Sequence, residues 1–245
     1  MHADPPPNQL LPDAQLAFLR LLQLTDSALP VGAQSHSFGL ESLVADGLLT
    51  VENLPALLSG YLQETGAAES YFCAIAYRLA AVTDSEEFVC SWLALNQRLS
   101  AFRPAAESRL ASAAMGRRFL TLASRLSADP RLALAYGAAQ SASVEPHYVT
   151  ALGLTAGLLG LGEQATLLAF LQQSLMSLLA ASQKLLPVGQ SLVADLLWRC
   201  KPDLLVAAER GAAMDWSDGT VTSTAPLLEL AALRHRRLAV RLFIS

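Results

Sequence analysis

The sequence predicts an all-α fold, a single-domain bundle of about ten helices. Three observations carry that reading. No stretch shows the period-two alternation of a half-buried strand. Leucine and alanine, both strong helix formers, dominate the 245 residues. Helix breakers fall at intervals that suit ordinary helices. No internal repeat of fixed period stands out, which argues against a solenoid. No linker splits the middle, and the length suffices for one large core. Residues 1–12, with Asp4 and Pro5-Pro6-Pro7, read as a disordered lead rather than a signal peptide. Residues 13–245 read as the domain, ending in a tail.

The elements follow in order. A first helix spans about Asp13 to Leu24, with Leu16, Leu19 and Leu22 at helical spacing. A second runs from Ser37 to Asp46, stopped by Gly47. Asn53 and Pro55 open a long third, reaching Val82. Asp84 or Ser85 caps the next, which ends near Ser100. Pro104 opens a helix whose Ala113-Ala114-x-Gly116 run gives it a small-residue face where another helix can approach closely. Asp129-Pro130 starts a short helix to Ser141, and Glu145-Pro146 another that ends at Gly160. Glu163 to Lys184 is the longest apolar helix. Leu186-Pro187-Val188-Gly189-Gln190 interrupts the chain, which resumes as a helix to Cys200. Lys201-Pro202-Asp203 caps the next. Asp215 to Thr224 is polar and turn-forming. The last helix begins near Pro226 and carries Leu227, Leu230, Leu233 and His235.

Composition narrows the function. The chain is 53% hydrophobic and only 16% charged, against roughly 25% charged in an average soluble domain. A surface short of charge leaves apolar area for a partner. A net charge of −4 argues against broad nucleic-acid binding. Cys73, Cys90 and Cys200 form neither a zinc spacing nor a disulfide framework, which points to a reducing, cytoplasmic compartment. Ala165 to Gln183 is uncharged and near spanning length. Its glutamines and serines favour a buried helix over a membrane span.

The segment Asp26-Ser-Ala-Leu-Pro-Val-Gly-Ala-Gln-Ser-His-Ser-Phe-Gly-Leu-Glu41 concentrates turn formers and small polar groups between two apolar helical runs. Pro30 and Gly32 break the preceding helix. Ser35 or Ser37 can cap the next, with Phe38, Leu40 and Leu43 facing inward. Asp26, Ser35, His36, Ser37 and Glu41 are the first candidates for function, because functional groups gather on loops held by a rigid scaffold.

This segment resembles the N-terminal signature of the urease accessory protein UreF family, through Leu22-Gln23-Leu24, Ser27, Leu29-Pro30-x-Gly32, Ser35-x-Ser37 and Gly39-Leu40-Glu41. Gln34 stands where an aromatic is expected. Further resemblances follow in order: Glu107, Ser112, Gly116 and Arg117; His147 through Gly160; Lys184-Leu-Leu-Pro187-Val-Gly189-Gln190; and a C-terminal ending matched by Arg234, His235, Arg241, Leu242, Phe243 and Ser245. In that ending Arg236, Ala239 and Val240 depart from the pattern. The resemblance implies a dimeric all-α helper for nickel insertion into urease. It implies binding to UreD (also called UreH), recruitment of the GTPase UreG, and action on the urease apoenzyme. Nickel would be handled by the complex, with no cofactor bound stably. The family positions Glu41 and Lys184 are associated with the face toward the GTPase; as plain sequence they read as exposed helix charges.

Asp26, Ser35 and His36 contain the residue types of a hydrolytic triad, so a helical hydrolase is the alternative. The Gly-x-Ser-x-Gly strand-turn-helix context is missing, and adjacent Ser and His point in different directions. No enzymatic activity is expected. His2, His36, His147 and His235 suit nickel chemically, yet no two sit at i,i+4, so no metal site is expected. The chain lacks a Walker A motif and is not itself the GTPase. Arg234, Arg236, Arg237 and Arg241 make the tail basic, while Leu238, Val240, Leu242, Phe243 and Ile244 make it unusually apolar for a chain end. That mixture suits docking into a partner groove. The expected partner-binding set is Asp26, Pro30, Gly32, Ser35, His36, Glu41, Lys184, Arg234, His235, Arg241, Leu242 and Phe243.

Overall fold

A computed structural model describes residues 12–32, 36–215, 226–238 and 240–243. Residues 1–11 of the expected lead, Ser35, and most of the polar stretch 215–224 lie outside the described residues; Pro12, read as the end of that lead, instead opens the first helix. Those described form an all-α bundle without a strand. The helices are α1 (Pro12–Leu24), α2 (Leu40–Ala45), α3 (Leu54–Tyr61), α4 (Ala67–Arg78), α5 (Ser85–Phe102), α6 (Ala106–Ser127), α7 (Pro130–Ser141), α8 (Tyr148–Leu158), α9 (Glu163–Leu185), α10 (Gln190–Arg199), α11 (Lys201–Ala213) and α12 (Pro226–His235). A π turn at Leu62–Gly66 joins α3 to α4, and a 3-10 turn at Leu79–Ala81 extends it. The third helix read from the sequence is therefore one rod with a widened turn inside.

Local chemistry sets the boundaries. Asp84 accepts a 2.8 Å hydrogen bond from the Glu87 amide, and Asp129 a 2.9 Å bond from the Arg131 amide. Each supplies an acceptor to an N–H that has no partner inside the helix.

The centre is α8. Its residues Tyr148 to Ala156 are all buried, as expected of a helix that is apolar all round. Gly153 and Gly157, four apart, lie on one face. A side chain at either would overlap the carbonyl of Cys73 or Tyr77 on α4. The two backbones thus touch directly. Gly116 of α6 plays the same part against the Pro146-His147 backbone, so the close approach comes from the segment leading into α8 rather than from a helix.

Helix α9 is long and apolar enough to cross a membrane. Here it packs against α4, α8 and α11. Its interrupting polar groups are used internally. Gln173 accepts a 2.6 Å bond from the Tyr148 hydroxyl, and Ser182 donates to the Leu178 carbonyl at 2.9 Å.

The two terminal helices break the inside-out rule. In α1, Leu21 and Leu24 are buried while Leu16, Phe18, Leu19 and Leu22 are exposed. In α12, Ala231, Ala232 and His235 face the core, whereas Leu227, Leu230 and Leu233 face outward. The periodicity that marks these helices therefore belongs to their outer faces.

Candidate functional site

The loop after α1 is built by short-range bonds. Asp26 accepts from the Ala28 amide at 2.7 Å, and the Leu29 amide bonds the Asp26 carbonyl at 3.0 Å. This Asx arrangement turns the chain. Val31 is buried, and Arg118 of α6 donates to its carbonyl at 3.3 Å. On the far side, Phe38 and Gly39 take left-handed φ values of 53° and 88°. The helix begins only at Leu40, three residues later than expected, because two left-handed residues cannot belong to a right-handed helix. The N-cap is Gly39, with no side-chain cap bond, so Ser37 does not cap the helix. A Cβ on Gly39 would lie 2.9 Å from the Leu228 carbonyl. Glycine is thus required twice over, for its φ and for the seat of α12. Phe38 is partly exposed rather than inward.

Three distant segments meet beside this loop. Glu41, in the first turn of α2, is buried. It accepts from His235 Nε2 at 2.8 Å, from the Leu242 amide at 2.6 Å and from the Phe243 amide at 3.3 Å. The other ring nitrogen of His235, Nδ1, lies 2.9 Å from Glu107 of α6. Arg241 reaches Glu107 at 3.6 Å. Phe243 is buried, with the Lys184 ammonium 5.1 Å from its ring centre. Arg234 pairs with Asp46 at 3.0 Å.

Electrostatics explains the choice of residues. Each His235 nitrogen faces a carboxylate oxygen, so the hub is fully bonded only when both nitrogens carry protons. Burial works against the Glu41 anion, but hydrogen bonds from the Leu242 amide, His235 and the Phe243 amide outweigh it. Its carboxyl therefore titrates below the usual range. His36 is held below its ordinary value by burial and by the nearby Arg118 charge.

The site read from the sequence is thus partly reassembled. Glu41, His235, Arg241, Leu242 and Phe243 come together. Lys184 joins through the Phe243 ring and Arg234 through Asp46. Two surface expectations are corrected. Glu41 is no exposed helix charge, because the tail amides and His235 need its oxygens. Phe243 does not project toward a partner but fills this chain's own core. Val240 and Leu242 remain exposed. Asp26, Pro30, Gly32 and His36 belong to the neighbouring loop, and Ser35 lies outside the described residues. The Asp26 carboxylate is taken by the Ala28 amide.

Glu107 completes the hub, although sequence reading had placed it only as one mark of a resemblance. Its signal was an acid in the first turn of α6, which also fits simple dipole pairing. Among the described residues no group of three or more His, Cys, Asp or Glu is arranged to hold a metal ion.

A second buried histidine serves the core. Asn96 accepts from the His147 amide at 2.9 Å and from the Thr150 hydroxyl at 2.7 Å. Its own amide donates to the Trp92 carbonyl at 2.9 Å. The His147 Nε2 lies 2.8 Å from the Ser100 hydroxyl. Burial, with help from Arg103 and Arg109, pulls this imidazole down to about 3, so it stays neutral. A cavity of about 110 Å³ lies between α6, α8, α9 and α12, lined by Tyr61, Glu69, Arg103, Tyr148, Gln173 and Glu229 among others. Glu69 pairs with Arg103 there, and burial raises both its carboxyl and that of Glu229.

The UreF family model matches residues 49–201, well over half of the chain. This chain belongs to the UreF family. The urease accessory protein UreF of Nostoc sp. is 34% identical over 237 residues, spanning 93% of this chain and 96% of that protein. The UreF of Paenarthrobacter aurescens is 33% identical, spanning 93% and 97%. The UreF of Rhodopseudomonas palustris is 32% identical, spanning 92% and 90%. The stretch matched by the UreF model stops short of α2, α12 and the tail, so three of the hub's four parts lie beyond it.

Proposed function

We propose that this chain is a non-enzymatic accessory protein of urease maturation, working in the cytoplasm. It acts as a dimer in a complex with UreD/UreH and the GTPase UreG, and that complex delivers nickel to the urease apoenzyme. The chain itself holds no cofactor stably; nickel is cargo of the assembly.

The observation that carries this reading is the outward leucine stripe on each terminal helix: Leu16, Leu19 and Leu22 on α1, and Leu227, Leu230 and Leu233 on α12. Val240 and Leu242 of the tail add to the second. Covering one half-exposed leucine is worth roughly 1 kcal/mol, so a protein gains by covering several at once. The hub makes the second stripe a fixed surface, since it ties α12 and the tail to α2 and α6.

Co-purification with UreD and UreG homologues tests the proposal. Leu230→Glu and deletion of residues 241–245 should each remove a partner from the complex while circular dichroism shows unchanged helix content. Undiminished complex formation by both variants would overturn the assignment of α12 and the tail.

A further inference from the structure

A groove of about 540 Å³ lies where α6, α7 and the early loop meet. Its α6 wall consists of two neighbouring rows at four-residue spacing. One row is Ala114, Arg118 and Leu122; the other is Arg117, Thr121 and Arg125. Pro30 and Tyr136 close the sides. Three arginines therefore stand over an apolar floor, and none of the lining residues is acidic. The carboxylate beside it is Glu145, which pairs with Arg117 where both are half-exposed. Such a surface pair is worth little and exchanges readily. Arg118 donates a 3.3 Å bond to the Val31 carbonyl and pairs with no acid among the described residues. Arg125 is exposed and pairs with no acid among the described residues.

We infer that this groove is a docking site for a short acidic peptide segment of a partner protein. Charge complementarity selects the chemistry. Arginine binds carboxylates in a planar, two-pronged fashion. The spacing selects a peptide over a lone anion. Arg117 and Arg125 are eight residues apart, about 12 Å along the helix. An extended peptide covers that distance in three to four residues, so acids three or four apart would meet both arginines. The floor of Ala114, Leu122, Pro30 and the Tyr136 ring would take an apolar side chain between them. Nucleic acid is disfavoured by the net charge of −4 and by the small number of cations. In an acidic protein the attraction is local and falls off within about 8 Å at physiological salt. The inference stands apart from the urease assignment, because it rests on α6, α7 and Pro30 of the early loop and not on α12 or the tail.

The test is fluorescence anisotropy on the full-length protein. The probe is a fluorescein-labelled extended peptide with glutamates four residues apart and leucines between. Its control carries glutamines at the same positions. The acidic peptide should bind roughly tenfold more tightly than the control at low salt, and weaken as salt rises. Arg125→Glu should cost about tenfold, while Arg199→Glu, on exposed α10, should leave binding unchanged. Arg125 is exposed and pairs with no acid among the described residues, so its variant should keep the wild-type melting curve. Equal binding of the two peptides, or full binding by Arg125→Glu, would overturn the inference. So would displacement by inorganic phosphate as readily as by unlabelled acidic peptide, since that would mark a site for small anions only.

Discussion

Two of the three buried histidines among the described residues, His147 and His235, are held in opposite ways. His147 sits at the start of α8 with a hydroxyl, an asparagine and two arginines nearby, and burial keeps it neutral. His235 ends α12 with a ring nitrogen against Glu41 and the other against Glu107. The first joins α5 to α8 within the packed centre. The second fastens a chain end across a sequence separation of 194 residues. The comparison teaches that the centre is held by packing, with polar groups fitted around it. The C-terminal region, whose leucines face outward, is held by charge and hydrogen bonds instead. A region fixed in that way keeps its apolar surface free for another protein.

The sharpest way to break the comparison is Glu41→Ala. It removes the acceptor of two tail amides and of His235 Nε2. Each buried donor left without its acceptor costs roughly 1–3 kcal/mol. We expect a lower urea midpoint and rapid trypsin cleavage at Arg236, Arg237 and Arg241. Wild-type protease resistance in this variant would show that the tail is held by packing of Phe243 alone.

Acid should separate the two histidines more gently. His147 takes up its proton in the unfolded chain near 6.5 but in the folded chain only at about 3. The unfolded state therefore binds more protons between those values, and stability falls as pH drops through that window. The slope approaches about 1.4 kcal/mol per pH unit. Glu41, whose folded carboxyl is lowered from 4.5, contributes stability that is present above that value and is lost as pH falls below it. Stability measured by urea titration should thus decline from pH 6.5 downward, before the Glu41 contribution is withdrawn. His147→Gln should flatten the decline between 6.5 and 5. An unchanged slope in that variant would reassign the acid sensitivity to another group.

The smallest effect is expected from Arg241→Ala. Its contact with Glu107 is 3.6 Å long and the arginine is about half-exposed. An exposed pair of this kind contributes roughly 0.5 kcal/mol or less. A melting shift comparable to that of Glu41→Ala would show that the arginine, and not the buried carboxylate, anchors the tail.

Much of the bundle was legible because it is local. Asp84 and Asp129 cap the helices they were expected to start, and Gly116 marks a close approach by its size alone. The start of α2 was misplaced because the φ of Phe38 is positive, and nothing in a phenylalanine announces that. The Leu16, Leu19 and Leu22 row in α1 showed a helix correctly. It did not show which side of that helix would meet the core, because Leu21 and Leu24 form a competing apolar face. Glu41 and Phe243 looked like surface groups for a similar reason. Their partners are each other's neighbours only after two ends of the chain have met.

By itself the sequence determined where the helices lie, that they form one all-α bundle, and which family the chain resembles. Those properties depend on propensity, spacing and ordered motifs along the chain. Only the tertiary structure decided that Glu41, Glu107 and His235 meet in one hydrogen-bonded cluster and that the leucines of α1 and α12 point outward. Hydrogen bonds and burial between segments some two hundred residues apart depend on how the helices pack, and no local pattern encodes them.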